Sequence, residues 1–192
     1  MKTINNKKTV CIFCSSSSNL KSQILTQSSK FAEQLAKEGF NLIYGGTSSG
    51  LMKLVADTHK KAGGRLIGVI PEYMIKKGIA HNNLDELISV KDLYTRKKTM
   101  IEESDIIATL PGGIGTYDEF FEIIVLKQLK QCNKPLYLMN FDNFFDPLVK
   151  MLKHGVEQKT IALTSMDLFT VCNSFEDFIS DTSKSNIIKN AD

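Results

Sequence analysis

No apolar run in this 192-residue chain approaches the ~20 residues of a membrane span, so no membrane role is expected. The first residues, Met1 to Lys8, hold no apolar signal core. A cytoplasmic protein is therefore expected. Cysteine is sparse. Cys11, Cys14, Cys132 and Cys172 are expected to stay reduced in such a compartment. Cys11 and Cys14 have C-x-x-C spacing, but they fall on a stretch that reads as a strand. Residues three apart on a strand face opposite sides, whereas a thioredoxin-type pair needs a helix N-terminus. The three histidines, His59, His81 and His154, lack ligand spacing, so no metal site is expected. Neither sign of charge is in large excess. The formal net charge of +3 suits an anionic ligand and does not call for nucleic acid.

Two nucleotide fingerprints are also missing. A dinucleotide loop reads G-x-G-x-x-G after the first strand. Gly113-Ile-Gly-Thr-Tyr-Asp118 carries Asp at the third glycine position and comes late in the chain. A P-loop needs Gly-Lys-Ser/Thr, which does not occur. NAD binding and ATP hydrolysis are poor readings of this chain.

Hydrophobic residues make up 42% and charged residues 23%, an ordinary globular balance. The length suits one good core. One domain is expected over residues 1–182, followed by a flexible polar tail at 183–192. Strand-like and helix-like segments alternate throughout. Strands are expected at Thr9–Cys14, Asn41–Tyr44, Arg65–Ile70, Leu87–Val90, Ile106–Leu110, Pro135–Met139 and Phe169–Cys172. Helices are expected at Lys21–Lys37, Leu51–Lys61, Asp92–Glu103, Phe120–Leu129, Phe144–His154 and Phe175–Ile179. Glu72–Asn83 has no clear period and reads as a polar crossing or lid. The alternation predicts an α/β fold: a Rossmann-like three-layer arrangement, with a parallel sheet flanked by helices on both faces. Ligands of such sheets sit at the carboxyl ends of strands. Ser15–Ser18, Gly45–Gly50 and Gly112–Thr116 all lie there.

Leu110-Pro-Gly-Gly-Ile-Gly-Thr-Tyr-Asp-Glu119 is the most informative stretch. Gly112, Gly113 and Gly115 stand where a strand hands over to a helix. With Ile114 and Thr116 they expose backbone N–H groups beside a helix N-terminus, a ready site for a phosphate. Glu119 follows one turn later. A second reading exists: Thr116-Tyr-Asp-Glu119 is a capping box, with Thr116 as N-cap and Glu119 reaching back. Glu122 lies at i+3 on the same face. Two carboxylates near one anion loop call for a cation, and Arg96 is the nearest candidate in motif terms. Arg96 and Lys97 stand in a basic run that also reads as a solvated helix face. Ser15, Gly46 and Met52 belong to the other two strand-end loops and offer further ligand contacts, although Met52, Phe13 and Met100 also suit a plain core.

Tyr44-Gly-Gly-x-x-x-Gly-Leu-Met52, Ile67-Gly-Val-Ile-Pro71, Arg96-Lys97 and Pro111-Gly-Gly-Ile-Gly-Thr-Tyr-Asp-Glu119 occur in this order. The set resembles the LOG (Lonely Guy) family, cytokinin riboside 5′-monophosphate phosphoribohydrolases formerly called "lysine decarboxylase-like". The resemblance spans roughly Cys11 to Leu148. It implies a Rossmann-like fold, a homodimer, no cofactor, and hydrolysis of the N-glycosidic bond of nucleoside 5′-monophosphates. It places the catalytic pair on Arg96 and Glu119, and the charge of Arg96 is expected to hold Glu119 ionised and placed. It implies that the substrate meets Ser15, Gly46, Met52, Lys97, Gly112, Gly113, Ile114, Gly115, Thr116 and Glu122. Thr47, Tyr94, Gly78 and Val125-Leu126 depart from the family's common pattern. They place the preference for a prenylated base in doubt, with AMP as the safer substrate. A decarboxylase would need a Schiff-base lysine on pyridoxal phosphate, and no lysine stands at a strand end near the glycine loop. The rival reading is a carrier that binds a nucleotide or cofactor on this fold without turnover.

Overall fold

The computed structural model describes residues 7–184. Its centre is a seven-stranded, wholly parallel sheet of order β4-β3-β2-β1-β5-β6-β7. The strands are β1 Thr9–Phe13, β2 Asn41–Tyr44, β3 Leu66–Pro71, β4 Glu86–Val90, β5 Ile106–Thr109, β6 Leu136–Met139 and β7 Thr170–Cys172. The helices are α1 Ser22–Lys37, α2 Gly50–Lys61, α3 Glu72–Lys76, α4 Leu93–Glu102, α5 Ile114–Gln128, α6 Asp146–Glu157 and α7 Phe175–Lys184.

Side chains alternate across the strands, so each strand feeds two cores. Val10 and Ile12 face one layer, with Phe31 and Leu35 of α1, Leu51 and Val55 of α2, and Phe178 of α7. Cys11 and Phe13 face the other, with Met100 of α4, Phe120 and Ile123 of α5, and Leu148 of α6. The expected three-layer α/β fold is the one observed. Cys11 and Cys14 fall in opposite cores, as a strand requires, and all four cysteines are buried free thiols. Among the described residues no helix is long and apolar enough to cross a membrane.

Three expectations need correction. First, α5 begins at Ile114, six residues before the expected Phe120. Gly113 is its N-cap, with extended backbone, and no side chain caps it. Thr116 therefore sits inside the first turn, and its N–H donates to the Gly113 carbonyl at 3.0 Å. The Thr116–Glu119 capping box does not form. Glycine is among the residues accepted at an N-cap, where the backbone is extended. Second, part of the Glu72–Asn83 crossing is ordered as α3, and its end bridges to the Gly45–Gly50 turn at Ala80 and Thr47. Third, Ser183 and Lys184 belong to α7. The remainder of the expected tail, 185–192, lies outside the described residues.

The strand order reverses direction between β1 and β5. That switch point opens a crevice at the strands' carboxyl ends. The Ser15 N–H donates across it to the Pro111 carbonyl at 3.2 Å.

Candidate active site

Four segments converge at the crevice: the loop after β1, the turn after β2, helix α4, and the glycine start of α5. Backbone bonds knit the first two. Met52 N–H donates to the Ser15 carbonyl (3.1 Å), and Leu51 N–H to the Ser17 carbonyl (3.1 Å). The Ser15 hydroxyl accepts from Ser17 N–H at 3.0 Å, and the Thr47 hydroxyl donates to the Met52 sulfur at 3.2 Å. Ser15 is buried and Met52 half-buried, so both shape the loops that border the crevice.

The α5 start is open. A side chain added at Gly113 or Gly115 would meet nothing within 4 Å. Neither has a positive φ. No internal packing or strain accounts for glycine at these two positions. What their absent side chains leave is clear space above bare N–H groups at the positive end of a 15-residue helix. Gly112 differs. A Cβ there would come within 2.1 Å of the Thr116 hydroxyl, so buried Thr116 packs onto the loop from below. Ile114 is 84% exposed beside the opening.

Arg96 reaches the crevice from α4. Asp92 caps that helix by accepting from Thr95 N–H at 2.7 Å. The Arg96 side chain is buried, at 9% exposure, and its Nε has no hydrogen-bond partner among the described residues. A buried guanidinium normally has its donors filled. Its outer end lies on Gly45, where an added Cβ would fall 1.6 Å from Nη2. Gly46 holds a φ of +68°, which favours glycine.

Glu119 is half-buried on α5. Burial pushes its carboxyl up from 4.5 to about 7; the positive charges of Arg96 and Lys97 oppose this and do not overcome it. Arg96 thus acts on Glu119 through space, and no ion pair joins the two among the described residues. Against the expectation that Arg96 holds Glu119 ionised, burial outweighs the Arg96 charge at this carboxyl. The same competition raises the Cys11 thiol, where burial and then Glu119 disfavour the thiolate.

The cation that meets Glu122 is Lys97, not Arg96. Its Nζ stands 2.5 Å from Glu122 Oε2 and 2.9 Å from Asp118 Oδ2. Lys97 and Glu122 therefore tie α4 to α5 and flank the crevice. A cavity of about 500 Å³ lies between these helices. Tyr94, Glu122, Leu126 and Cys132 are among its lining residues.

Sequence reasoning missed two contributors. Gly45 was read as one more turn glycine, although its place in Tyr44-Gly-Gly was a usable signal. His81 was set aside for want of metal-ligand spacing. In the structure it holds the crossing segment against the Gly46 turn. No group of three or more His, Cys, Asp or Glu side chains among the described residues is arranged to hold a metal ion.

The fold is that of a Rossmann-like α/β protein, with its candidate ligand site at the sheet's switch point. A family profile described as "Possible lysine decarboxylase" matches residues 52–182. The chain is 36% identical to the cytokinin riboside 5′-monophosphate phosphoribohydrolase LOG5 of Arabidopsis thaliana over 162 residues, covering 84% of this chain and 71% of that protein. It is 33% identical to the probable cytokinin riboside 5′-monophosphate phosphoribohydrolase LOG4 of Oryza sativa subsp. japonica over 167 residues, covering 87% and 73%. Among solved structures it is similar to a molybdenum cofactor binding protein from Rippkaea orientalis. The TM-score is 0.70 at 21% identity, covering 94% and 98%; that likeness concerns the fold alone. The chain belongs to the LOG family of phosphoribohydrolases.

Proposed function

We propose that the protein hydrolyses the N-glycosidic bond of nucleoside 5′-monophosphates, AMP or cytokinin riboside 5′-monophosphates, to free base and ribose 5-phosphate. The observation that carries this reading is the juxtaposition of Arg96 and Glu119. One is a buried cation with an unfilled donor, the other a desolvated carboxyl on the helix whose glycine start is open. The 5′-phosphate docks on the N–H groups of Gly112–Thr116, and this remote binding energy positions the ribose. The C1′–N bond breaks as positive charge grows on C1′, and the Glu119 carboxylate stabilises that charge. Water adds at C1′, its proton is released, and the departing base takes up a proton. A carboxyl poised near neutrality suits such proton traffic. Arg96 brings a buried positive charge to the site and keeps part of Glu119 ionised.

Ser15, Gly46 and Met52 border the sugar side, and Lys97 and Glu122 fix the α4–α5 wall. Tyr94 and Leu126 line the neighbouring cavity, which supports base selection there. The protein acts as a cytoplasmic homodimer, needs no cofactor, and takes neither nucleic acid nor membrane as partner. Light scattering tests the assembly: a fully active monomer contradicts it. Incubation with AMP, other nucleoside monophosphates and isopentenyladenosine monophosphate, with chromatography of the free base, tests the reaction. A nucleotide bound tightly and recovered intact would instead favour the carrier.

A further inference from the structure

We infer that His81 is a positioning residue for Arg96, an inference that rests on the reading of Arg96 as part of the site. Gly45 is the floor on which the Arg96 guanidinium lies. That floor belongs to a turn whose Gly50 end packs on the loop after β1 and whose middle is bonded to the crossing segment. Ser48 N–H donates to the Ile79 carbonyl (3.0 Å), and His81 N–H donates to the Gly46 carbonyl (2.9 Å). Thr47 and Ala80 form an antiparallel bridge between these bonds. On its other side the turn rests on β3, where a Cβ at Gly68 would meet the Gly46 Cα at 2.9 Å. Residues 79–81 therefore clamp the turn against the sheet.

The His81 ring anchors this clamp. It is 6% exposed. Its Nδ1 accepts from Asn83 N–H at 3.3 Å, so the ring proton sits on Nε2, which donates to Asp57 Oδ1 of α2 at 2.9 Å. The ring also stands edge-on to Tyr44, the last residue of β2, at 6.4 Å. One side chain thus joins the clamp to α2, to β2 and to its own chain. The segment needs such an anchor: α3 buries none of its residues, and Gly78 bends the chain at a φ of +70°. A buried, doubly hydrogen-bonded imidazole is lost only with its partners left unpaired.

The test uses a convenience of composition: the chain has two arginines, Arg65 and Arg96. Phenylglyoxal modification read by peptide mass spectrometry then reports Arg96 against exposed Arg65 as internal reference. Well below the melting temperature, His81→Leu should raise the Arg96-to-Arg65 modification ratio by at least ~5-fold, as local opening requires. His81→Gln, whose amide can still donate toward Asp57, should return it to within ~2-fold. Asp57→Ala lies on a partly exposed helix face and keeps the test open should His81→Leu fail to fold; it should raise the ratio as well. In turnover, His81→Leu should lower kcat by ~10-fold with KM changed by less than ~3-fold, and should do little further in an Arg96→Ala background. An unchanged ratio in both His81→Leu and Asp57→Ala, or an undiminished His81→Leu loss without Arg96, overturns the inference. If the wild-type protein releases no base, the proposed reaction fails, while the modification ratio still decides the role of His81.

Discussion

The Arg96 guanidinium occupies the space that a side chain at Gly45 would need, 1.6 Å from an ideal Cβ. The two residues lie 51 positions apart, on α4 and after β2, and their contact sets the position of the site's buried cation. Even one methyl group at residue 45 must displace it.

Gly45→Ala should therefore impair activity more than stability. Displacement of a positioned group by about 1 Å is worth roughly 10² in rate, or ~3 kcal/mol of barrier. We expect kcat/KM to fall by at least that factor while the melting temperature drops by only a few degrees. Steady-state kinetics beside thermal melts check this. Near-normal kcat/KM would show that Arg96 need not lie on Gly45.

The Glu119 carboxyl makes stability depend on pH with a definite sign. Its folded-state value is raised by burial from 4.5 to about 7, against the pull of Arg96 and Lys97. Between these values the folded state binds more protons than the unfolded state, so this contribution is present below about 4.5 and lost as pH rises through about 7. The span corresponds to roughly 3 kcal/mol at most. Glu119→Gln removes the ionisation. Relative to wild type it should gain stability at pH 8 compared with pH 5, read by melts across that range. A difference that does not change with pH would contradict the desolvated carboxyl.

Lys97 holds Asp118 and Glu122 together. Lys97→Met would leave Glu122 largely shielded from water without its cation. We expect a loss of ~1–2 kcal/mol, about 2–8 °C in melting temperature for a chain of this length. Lys97→Arg should recover most of it. A Lys97→Met protein as stable as wild type would show that this bridge adds nothing.

Much of the fold was legible in the sequence, for a physical reason. Buried parallel strands read as short apolar runs, and turn residues punctuate them. Asn41–Tyr44 matches β2 residue for residue, and Asp92 and Glu103 flank α4 as its caps. The errors cluster where local chemistry misleads. Three glycines read as loop, yet two of them cap and enter α5, because an N-cap accepts glycine and the first turn leaves room for it. The Thr116–Glu119 pattern imitates a capping box that the true N-cap, Gly113, pre-empts. The candidate site was legible as motifs, and the Arg96 charge does act on the Glu119 carboxyl. Their setting was not: the Gly45 floor, the Lys97–Glu122 tie and the His81 anchor are long-range contacts that no local period encodes.

Under the proposed reaction, the open helix start and the α4–α5 cavity would select the substrate. AMP should be hydrolysed far faster than adenosine, because the phosphate supplies the positioning. Isopentenyladenosine monophosphate should gain little over AMP. Hydrogen-bonded sites discriminate more strongly than apolar pockets, and Val125, Leu126 and Gly78 offer no side-chain hydrogen bond. Parallel kcat/KM measurements decide both points. Equal rates on AMP and adenosine would remove the phosphate cradle from the mechanism, and a hundredfold preference for the prenylated nucleotide would show that these positions do not set base choice.

The central claim is that the Glu119 charge, set beside Arg96, drives cleavage of the glycosidic bond. Its most direct test is release of adenine from AMP by Glu119→Gln, with AMP affinity measured in parallel by calorimetry. The side chain keeps its shape and loses its charge, and no helix cap depends on it. The account predicts a fall in kcat of roughly 10²–10⁴, or about 3–5 kcal/mol of barrier, with AMP still bound. Near-normal adenine release by Glu119→Gln would contradict it.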